Sequence, residues 1–264
     1  MASGLQITAF AGREPNFDTP HAVDAASPGD TVIAPPGRYH ESVRIAESGI
    51  TIRASRGAIL DASGFSVGIR ATAGPGGPGC APPMLNDITI DGLRIENASF
   101  TGANDEYAIF PICSRNGTIE GNHVEGTDDA AIYIGNSHDV AVERNHATDS
   151  TVGIEIENST GVVVRGNTAI GNTSGIVSFV LPGLAVPVTE DILVERNVVM
   201  RNNRPNPVLP SEDVVGLIGR HRHPDRRRRS RHRARQPRCR QRQRRCRRHG
   251  APVPQPGPAR RPIP

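Results

Sequence analysis

Six carboxylates between residues 105 and 157 have types and spacings that could do chemistry. Asp105-Glu106 and Asp128-Asp129 lie 23 residues apart (128 − 105), each pair just ahead of a segment carrying an aromatic residue, Phe110 or Tyr133. Glu155 and Glu157 extend the patch, one period of 22 residues after Tyr133 and Gly135 (155 − 133, 157 − 135). Carboxylates crowded into one patch raise one another's pKa or recruit a cation. Oxygen-rich clusters of this kind suit calcium, and a paired acid and base suits attack on a glycosidic bond. Asp128, Asp129 and Glu155 are therefore the candidate catalytic acid and base. Tyr133, Phe110 and Glu157 are the candidate substrate-binding residues, and Asp105, Glu106, Asp128 and Asp129 the candidate calcium ligands. The plainer explanation is that an acidic protein decorates its turns with Asp, whose side chain favours turn geometry. Crowded carboxylates mark function in only a fraction of cases.

The elements that must position these groups are written as a repeat. Ala108-Ile109-Phe110, Ala131-Ile132-Tyr133, Gly153-Ile154-Glu155 and Gly175-Ile176-Val177 share one phase, with isoleucines at steps of 23, 22 and 22 residues (132 − 109, 154 − 132, 176 − 154). A second strand keeps step through Val140 and Val142, then Val162 and Val164, each pair followed by Asn145 or Asn167. Alternating apolar strands at a short fixed period identify a solenoid, in which each coil buries its inner face only against its neighbours. At one coil per ~22 residues the length predicts about eight coils.

Strand alternation then assigns faces. Ile132, Ile134, Ile154 and Ile156 point inward, each worth ~1.5–3 kcal/mol of burial, so Tyr133, Gly135, Glu155 and Glu157 point outward onto an exposed sheet face. Adjacent coils lie ~4.8 Å apart, which would bring Asp105, Glu106, Asp128 and Asp129 into one patch. Asn122, Asn145, Asn167 and Asn197 recur at one turn position. A row of ligands could look like this, but coil-to-coil amide bonding explains it more simply. Glu120, Glu143, Arg165 and Glu195 share a column suited to surface ion pairs of ~0–1 kcal/mol each. His123 and His146 follow Asn122 and Asn145, and the sequence does not fix their facing.

Composition sets further bounds. The overall charge of +4 averages two unlike parts: residues 219–264 hold 18 Arg and the single acid Asp225, which leaves 13 Arg and 26 acids before them. All 31 basic residues are Arg. Residues 1–20 read as an extended entry segment, with a short helix from His21 to Ala26 ended by Ser27-Pro28-Gly29-Asp30. The β domain spans 21–218, interrupted by a Gly- and Pro-rich loop at 74–83 and an excursion at 181–189. Of Cys80, Cys113, Cys239 and Cys246, none has metal-type spacing; Cys80 and Cys113 could bridge, but separate thiols are the expectation. No signal peptide is visible at the start, and no apolar stretch approaches the ~20 residues that span a bilayer.

The tail from Gly219 lacks apolar periodicity and is expected to be a disordered polycation. It could be a nucleic-acid-binding arm, but a shifted reading frame is the better account. Arg written CGN before a codon beginning with C gives, one base later, Val, Ala, Asp or Gly; His gives Thr or Ile. Gly219-Arg220-His221-Arg222-His223-Pro224-Asp225 thereby conceals Ala-Gly-Thr-Gly-Ile-Leu, another strand of the repeat.

Ala25-Ala26-Ser27-Pro28-Gly29-Asp30-Thr31-Val32, with Pro36-Gly37-Arg38-Tyr39-His40-Glu41, resembles the opening of secreted right-handed parallel β-helix proteins, the pectate-lyase-like group. Opening and repeats together cover roughly residues 21–206 and are specific for the fold. They are not specific for activity, since one fold hosts many. The resemblance implies an all-β, right-handed parallel β-helix, located outside the cell or in the periplasm, that binds polysaccharide or cell-surface glycan as a monomer. If it is an enzyme, a lyase, glycosidase or epimerase is implied. Departures from the group are evident: Asp128-Asp129 is only a faint echo of the polygalacturonase pattern, no Asp-Pro-His of the epimerases occurs, and no Arg or Lys is expected to face outward beside Tyr133 as a lyase base. Two other readings stand beside this one, a non-catalytic scaffold and nucleic-acid binding through the tail, the latter only if the tail is natural.

Overall fold

The computed structural model describes residues 6–8, 19–74, 80, 84–99, 106–206 and 220–221. The chain divides into two units, Met1–Arg222 and His223–Pro264, and every described residue lies in the first. Of the tail from Gly219, Arg220–His221 form a short strand paired in parallel with Pro205–Asn206; the expected disorder of the rest, and its role as an arm, fall outside the described residues.

Three parallel sheets share the chain. The first has eight strands: Gln6–Thr8, Thr31–Ala34, Thr51–Ala54, Thr89–Asp91, Thr118–Glu120, Ala141–Glu143, Val163–Arg165 and Leu193–Glu195. The second has seven, among them Gly37–His40, Ala58–Ser63, Arg94–Ser99, His123–Glu125, His146–Thr148 and Val198–Met200. The third has six: Val43–Ile45, Val67–Ala71, Tyr107–Pro111, Ala130–Gly135, Val152–Glu157 and Ser174–Phe179. The chain visits the three in turn and then repeats, which is a parallel β-helix. Six coils carry all three strands among the described residues, and the first sheet holds eight strands.

The isoleucine column is present. Ile109 pairs with Ile132, Ile132 with Ile154, and Ile154 with Ile176. It continues to Ile69 and Val43, which the long 74–83 loop hides in the sequence. Val32, Ile52, Ile90, Ile119, Val142 and Val164 form the inward column of the first sheet. Such narrow stacks need β-branched side chains, which pack well on a pleated surface.

The turns are held by amides. Asn122, Asn145, Asn167 and Asn197 donate Nδ2 to the carbonyls of Ile90, Ile119, Val142 and Val164 at 2.8–2.9 Å. Each of the last three accepts the backbone N–H of the Asn one coil earlier. A second ladder runs through Ser150, Asn172 and Asn202, and sequence reading misses it because its residue types are mixed. Just before the first ladder, Gly92, Gly121 and Gly166 adopt left-handed φ, and Arg144 and Arg196 occupy the same position at φ 55° and 56°.

At the start, helix α1 spans Thr19–Asp24 rather than His21–Ala26. Pro20 fits the first turn, where no N–H is needed, and Ala26 N donates to Val23 O in a closing turn. Val23 and Ala26 pack on the first coils. Within the expected entry segment, Gln6–Thr8 adds a parallel strand beside Thr31–Ile33.

Candidate functional site

The outer side of the third sheet carries the candidate residues. Backbone alternation turns Arg44, Arg70, Phe110, Tyr133 and Glu155 away from the isoleucine column. Arg44 pairs with Arg70, Arg70 with Phe110, and Tyr133 with Glu155. Tyr107 joins them, its ring 4.5 Å from Phe110 and 4.8 Å from Tyr133, while Phe110 and Tyr133 stack at 4.8 Å. The Arg70 guanidinium lies 4.7 Å over the Phe110 ring, a cation–π contact. Glu157 pairs with Gly135. Gly135 is required there because the Tyr133 ring folds over it: a Cβ would lie 2.3–2.5 Å from the ring and hydroxyl.

Two expectations about this face are corrected. First, it is not freely exposed. Tyr133 is 5% exposed, Phe110 7% and Glu155 1%, and Glu157 is nearly as buried. The phase correctly assigns the side of the sheet but cannot show what lies against it. Second, arginines do face outward on this sheet. Ile69-Arg70-Ala71 has the phase of Ile109-Phe110-Pro111. A 40-residue interval (109 − 69) in place of 23 conceals the match.

The acidic cluster separates. Asp129 N donates to Glu106 O at 3.2 Å, so these two residues stack and both are buried. One coil further the column continues with Thr151, whose hydroxyl donates to Asp128 O at 2.7 Å. Asp128 itself is exposed and lines an open depression with Ser63, Asn97, Glu125, Asp149 and Arg204. Neighbouring residues along an extended chain point to opposite sides, so Asp128 and Asp129 do not meet in one patch. Asp105 lies outside the described residues. Among the described residues, no group of three or more His, Cys, Asp or Glu could hold a metal ion.

Loops reach the C-terminal ends of these strands. Cys80 and Cys113 form a disulfide with Cα atoms 5.4 Å apart, against the expectation of separate thiols. It fixes Cys80, whose Sγ lies 3.7 Å from Asn136 O. From the other excursion, Val186 N donates to Asn136 Oδ1, and Asn158 donates to the carbonyls of Leu181 and Val186. Asn136 and Asn158, both at left-handed φ, thus tie the 181–189 segment to the ends of the candidate strands.

His123 and His146 sit elsewhere, in register on the second sheet, their rings stacked at 4.7 Å. Burial, then the His146 ring and the Arg94 guanidinium, holds His123 below the ordinary imidazole range. On the same sheet Arg38 bridges Asp61 and Glu96 at 2.8 and 2.9 Å.

Comparison with known proteins agrees with this architecture. Residues 44–203 match the family described as right handed beta helix region. Among solved structures, the Yersinia enterocolitica family 28 exopolygalacturonase is similar at TM-score 0.54 and 15% identity, over 74% of this chain and 53% of that one. The Erwinia carotovora polygalacturonase is similar at TM-score 0.54 and 10% identity, over 75% of this chain and 64% of that one. A candidate glycosyl hydrolase from Parabacteroides merdae matches at TM-score 0.50 and 17% identity, over 64% of this chain and 82% of that one. The matched part of the chain thus spans between half and two-thirds of the two polygalacturonases. No curated protein matches the sequence. At these identities the likeness is one of fold, and with the family match over more than half its length the chain belongs to the right-handed β-helix family.

Proposed function

We propose that the outer side of the third sheet binds a polysaccharide outside the cell or in the periplasm, with Glu155 and Asp129 as acid and base for modifying it. The observation that carries this reading is the in-register run Arg70, Phe110, Tyr133 and Glu155, with Tyr107 against the rings. Aromatic rings give sugar rings an apolar platform, and a guanidinium beside them favours acidic groups. Glu157 lies one pleat further along and would contact the same ligand. Asp128 faces the neighbouring depression and would touch a chain that crosses the corner between the sheets. Similarity to polygalacturonases supports a glycan ligand. The Cys80–Cys113 disulfide supports an oxidising compartment. Calcium, if it takes part, needs Asp105 beside Glu106 and Asp129.

The test is a panel of acidic and neutral glycans offered to the full chain and to Glu155→Gln, Asp129→Asn and Asp128→Asn variants. Loss of turnover with binding retained in the first two supports acid–base catalysis. Unchanged binding and turnover in all three would sink the reading. The low exposure of Tyr133, Phe110 and Glu155 favours a second reading, a non-catalytic scaffold whose outer face is structural. It predicts that the same substitutions lower the melting temperature and alter no glycan interaction. Nucleic-acid binding through residues 219–264 predicts steeply salt-dependent affinity that vanishes when they are deleted.

A further inference from the structure

The last coil ends unlike those beneath it. Val194 pairs with Val164 and Val199 with Ala169, on columns that face inward throughout the solenoid. Val164 and Ala169 are 0% exposed, whereas Val194 and Val199 are each 48% exposed. Leu193, Val198 and Met200 beside them are exposed as well. Leu193–Glu195 and Val198–Met200 are the terminal strands of their sheets. Among the described residues, the amide ladders also stop here, at Asn197 and Asn202. The short strand Arg220–His221 pairs with Pro205–Asn206 and with neither of these two strands. The other end is dressed differently: Val23 and Ala26 pack into its core, and Gln6–Thr8 adds a strand beside Thr31–Ile33. Bare apolar side chains on bare strand edges are a surface for pairing with another chain.

This end is complementary to a copy of itself. Its two strands have three residues each and flank the turn Arg196-Asn197. A two-fold axis through that turn, in the plane of the end, lays Leu193–Glu195 of one protomer antiparallel on Val198–Met200 of its partner. Val194 then meets the partner's Val199, Leu193 meets the partner's Met200, and Glu195 meets the partner's Val198. Inward residues meet inward ones and outward meet outward, so the pleats agree. The charges agree too. Glu190 and Asp191 precede the first strand and Arg201 follows the second, all three exposed. The same axis therefore sets the acids of each protomer beside the partner's Arg201, twice over, as an isologous interface requires. Stacking head to tail would need a second bare core, which Val23 and Ala26 cover.

We infer that two copies of this chain associate end to end through Leu193–Glu195 and Val198–Met200, as a closed two-fold dimer with Val194 against the partner's Val199 at its centre. The monomer that the family resemblance implies is then half of the assembly. This inference does not rest on the glycan reading.

The experiment is sedimentation of the full-length chain over a wide range of concentration, at about 0.15 M salt so that long-range charge effects are screened. A monomer–dimer equilibrium is expected, with hydrogen exchange at the Val194 and Val199 amides slowing as the dimer fills. Val199→Asp, at a half-exposed position, keeps the β signal in circular dichroism and raises the dimer Kd roughly tenfold or more. Asp191→Arg and Arg201→Asp each weaken the dimer by setting like charges together, and the double variant recovers most of the loss. Both sites have left-handed φ, which Asp and Arg each adopt elsewhere in the chain, so the exchange is decisive even if Val199→Asp fails to fold. A monomer at every concentration overturns the proposal, whether Val194 and Val199 exchange freely or are protected within one chain. Species that grow beyond two copies overturn the closed two-fold, and a double variant no better than either single overturns the pairing.

Discussion

Two columns of side chains climb the same solenoid and differ in one respect. In the ladder Asn122, Asn145, Asn167 and Asn197, every rung is the same residue making the same bonds. In the outer column of the third sheet the rungs are Arg44, Arg70, Phe110, Tyr133, Glu155 and Val177. Identical rungs are what a coil needs in order to stack on any other coil. A column whose chemistry passes along the solenoid from guanidinium to aromatic ring to carboxylate adds nothing general to stacking, so its sequence is free to serve a ligand. Repetition marks the scaffold, and its breakdown at constant register marks the candidate site.

The comparison is broken most severely by attacking the scaffold. Ile154→Asp puts a carboxylate at a fully buried position between Ile132 and Ile176. It forfeits ~1.5–3 kcal/mol of burial and adds the cost of an unpaired buried charge. The central coils are expected to unfold, seen as loss of β signal in circular dichroism; an unchanged melting temperature would refute the register. Asn145→Ala is next. It removes the donor to Ile119 O and the acceptor of Asn122 N, which leaves buried backbone groups unmade at a cost of roughly 2–4 kcal/mol. If the ladder is structural, Tm falls and glycan binding per folded molecule is unchanged.

Legibility in the sequence follows the same division. The isoleucine and asparagine columns announce themselves because their rungs are alike at 22–23 residue steps through the central coils, and from them come the fold and the side of each strand. Arg70 escapes notice because its in-register neighbour Arg44 stands 26 residues back (70 − 44) rather than 22–23, and Tyr107 because no like residue sits one coil away. The 40-residue interval between Ile69 and Ile109 also conceals the alignment of Arg70 with Phe110. The separation of Asp128 from Asp129 depends on where a turn hands over to a strand, and a period cannot give that boundary. The Cys80–Cys113 pairing depends on the path of a loop that no repeat constrains.

Smaller changes sharpen the contrast from the side of the candidate site. Gly135→Ala drives a methyl into the Tyr133 ring and must displace it from Phe110 and Tyr107. The stacking lost is worth about 0.5–1.5 kcal/mol. Glycan affinity, if it resides here, should fall as in Tyr133→Leu, and the double variant should be no worse than either alone. On the second sheet, His123 has its pKa depressed by burial, then by His146 and Arg94, with Glu125 and Glu96 opposing. The unfolded chain therefore takes up the proton more readily than the folded one. Stability is complete above the unfolded value of ~6.5 and declines as pH falls below it. Melting at about pH 7.5 and about pH 5.5 should differ by a few degrees, and His123→Gln should flatten that difference.

The smallest effect belongs to the outer column of the first sheet, where acidic and basic rungs are mixed. Glu120 and Glu143 are in-register neighbours, a like-charged pair that would repel. Arg144 reaches both carboxylates, and it does so from a left-handed turn position that Gly121 and Gly166 occupy in adjacent coils. Arg144→Gln keeps the backbone demand and removes the bridge. The loss should be about 0.5–1 kcal/mol at low salt, since the arginine is largely exposed. It should vanish near 1 M salt, where the screening length is ~3 Å. A salt-independent loss would mean that Arg144 acts through its turn geometry or packing rather than its charge. This column would then vary its residues for shape, and varied rungs alone would no longer single out the face that carries Tyr133.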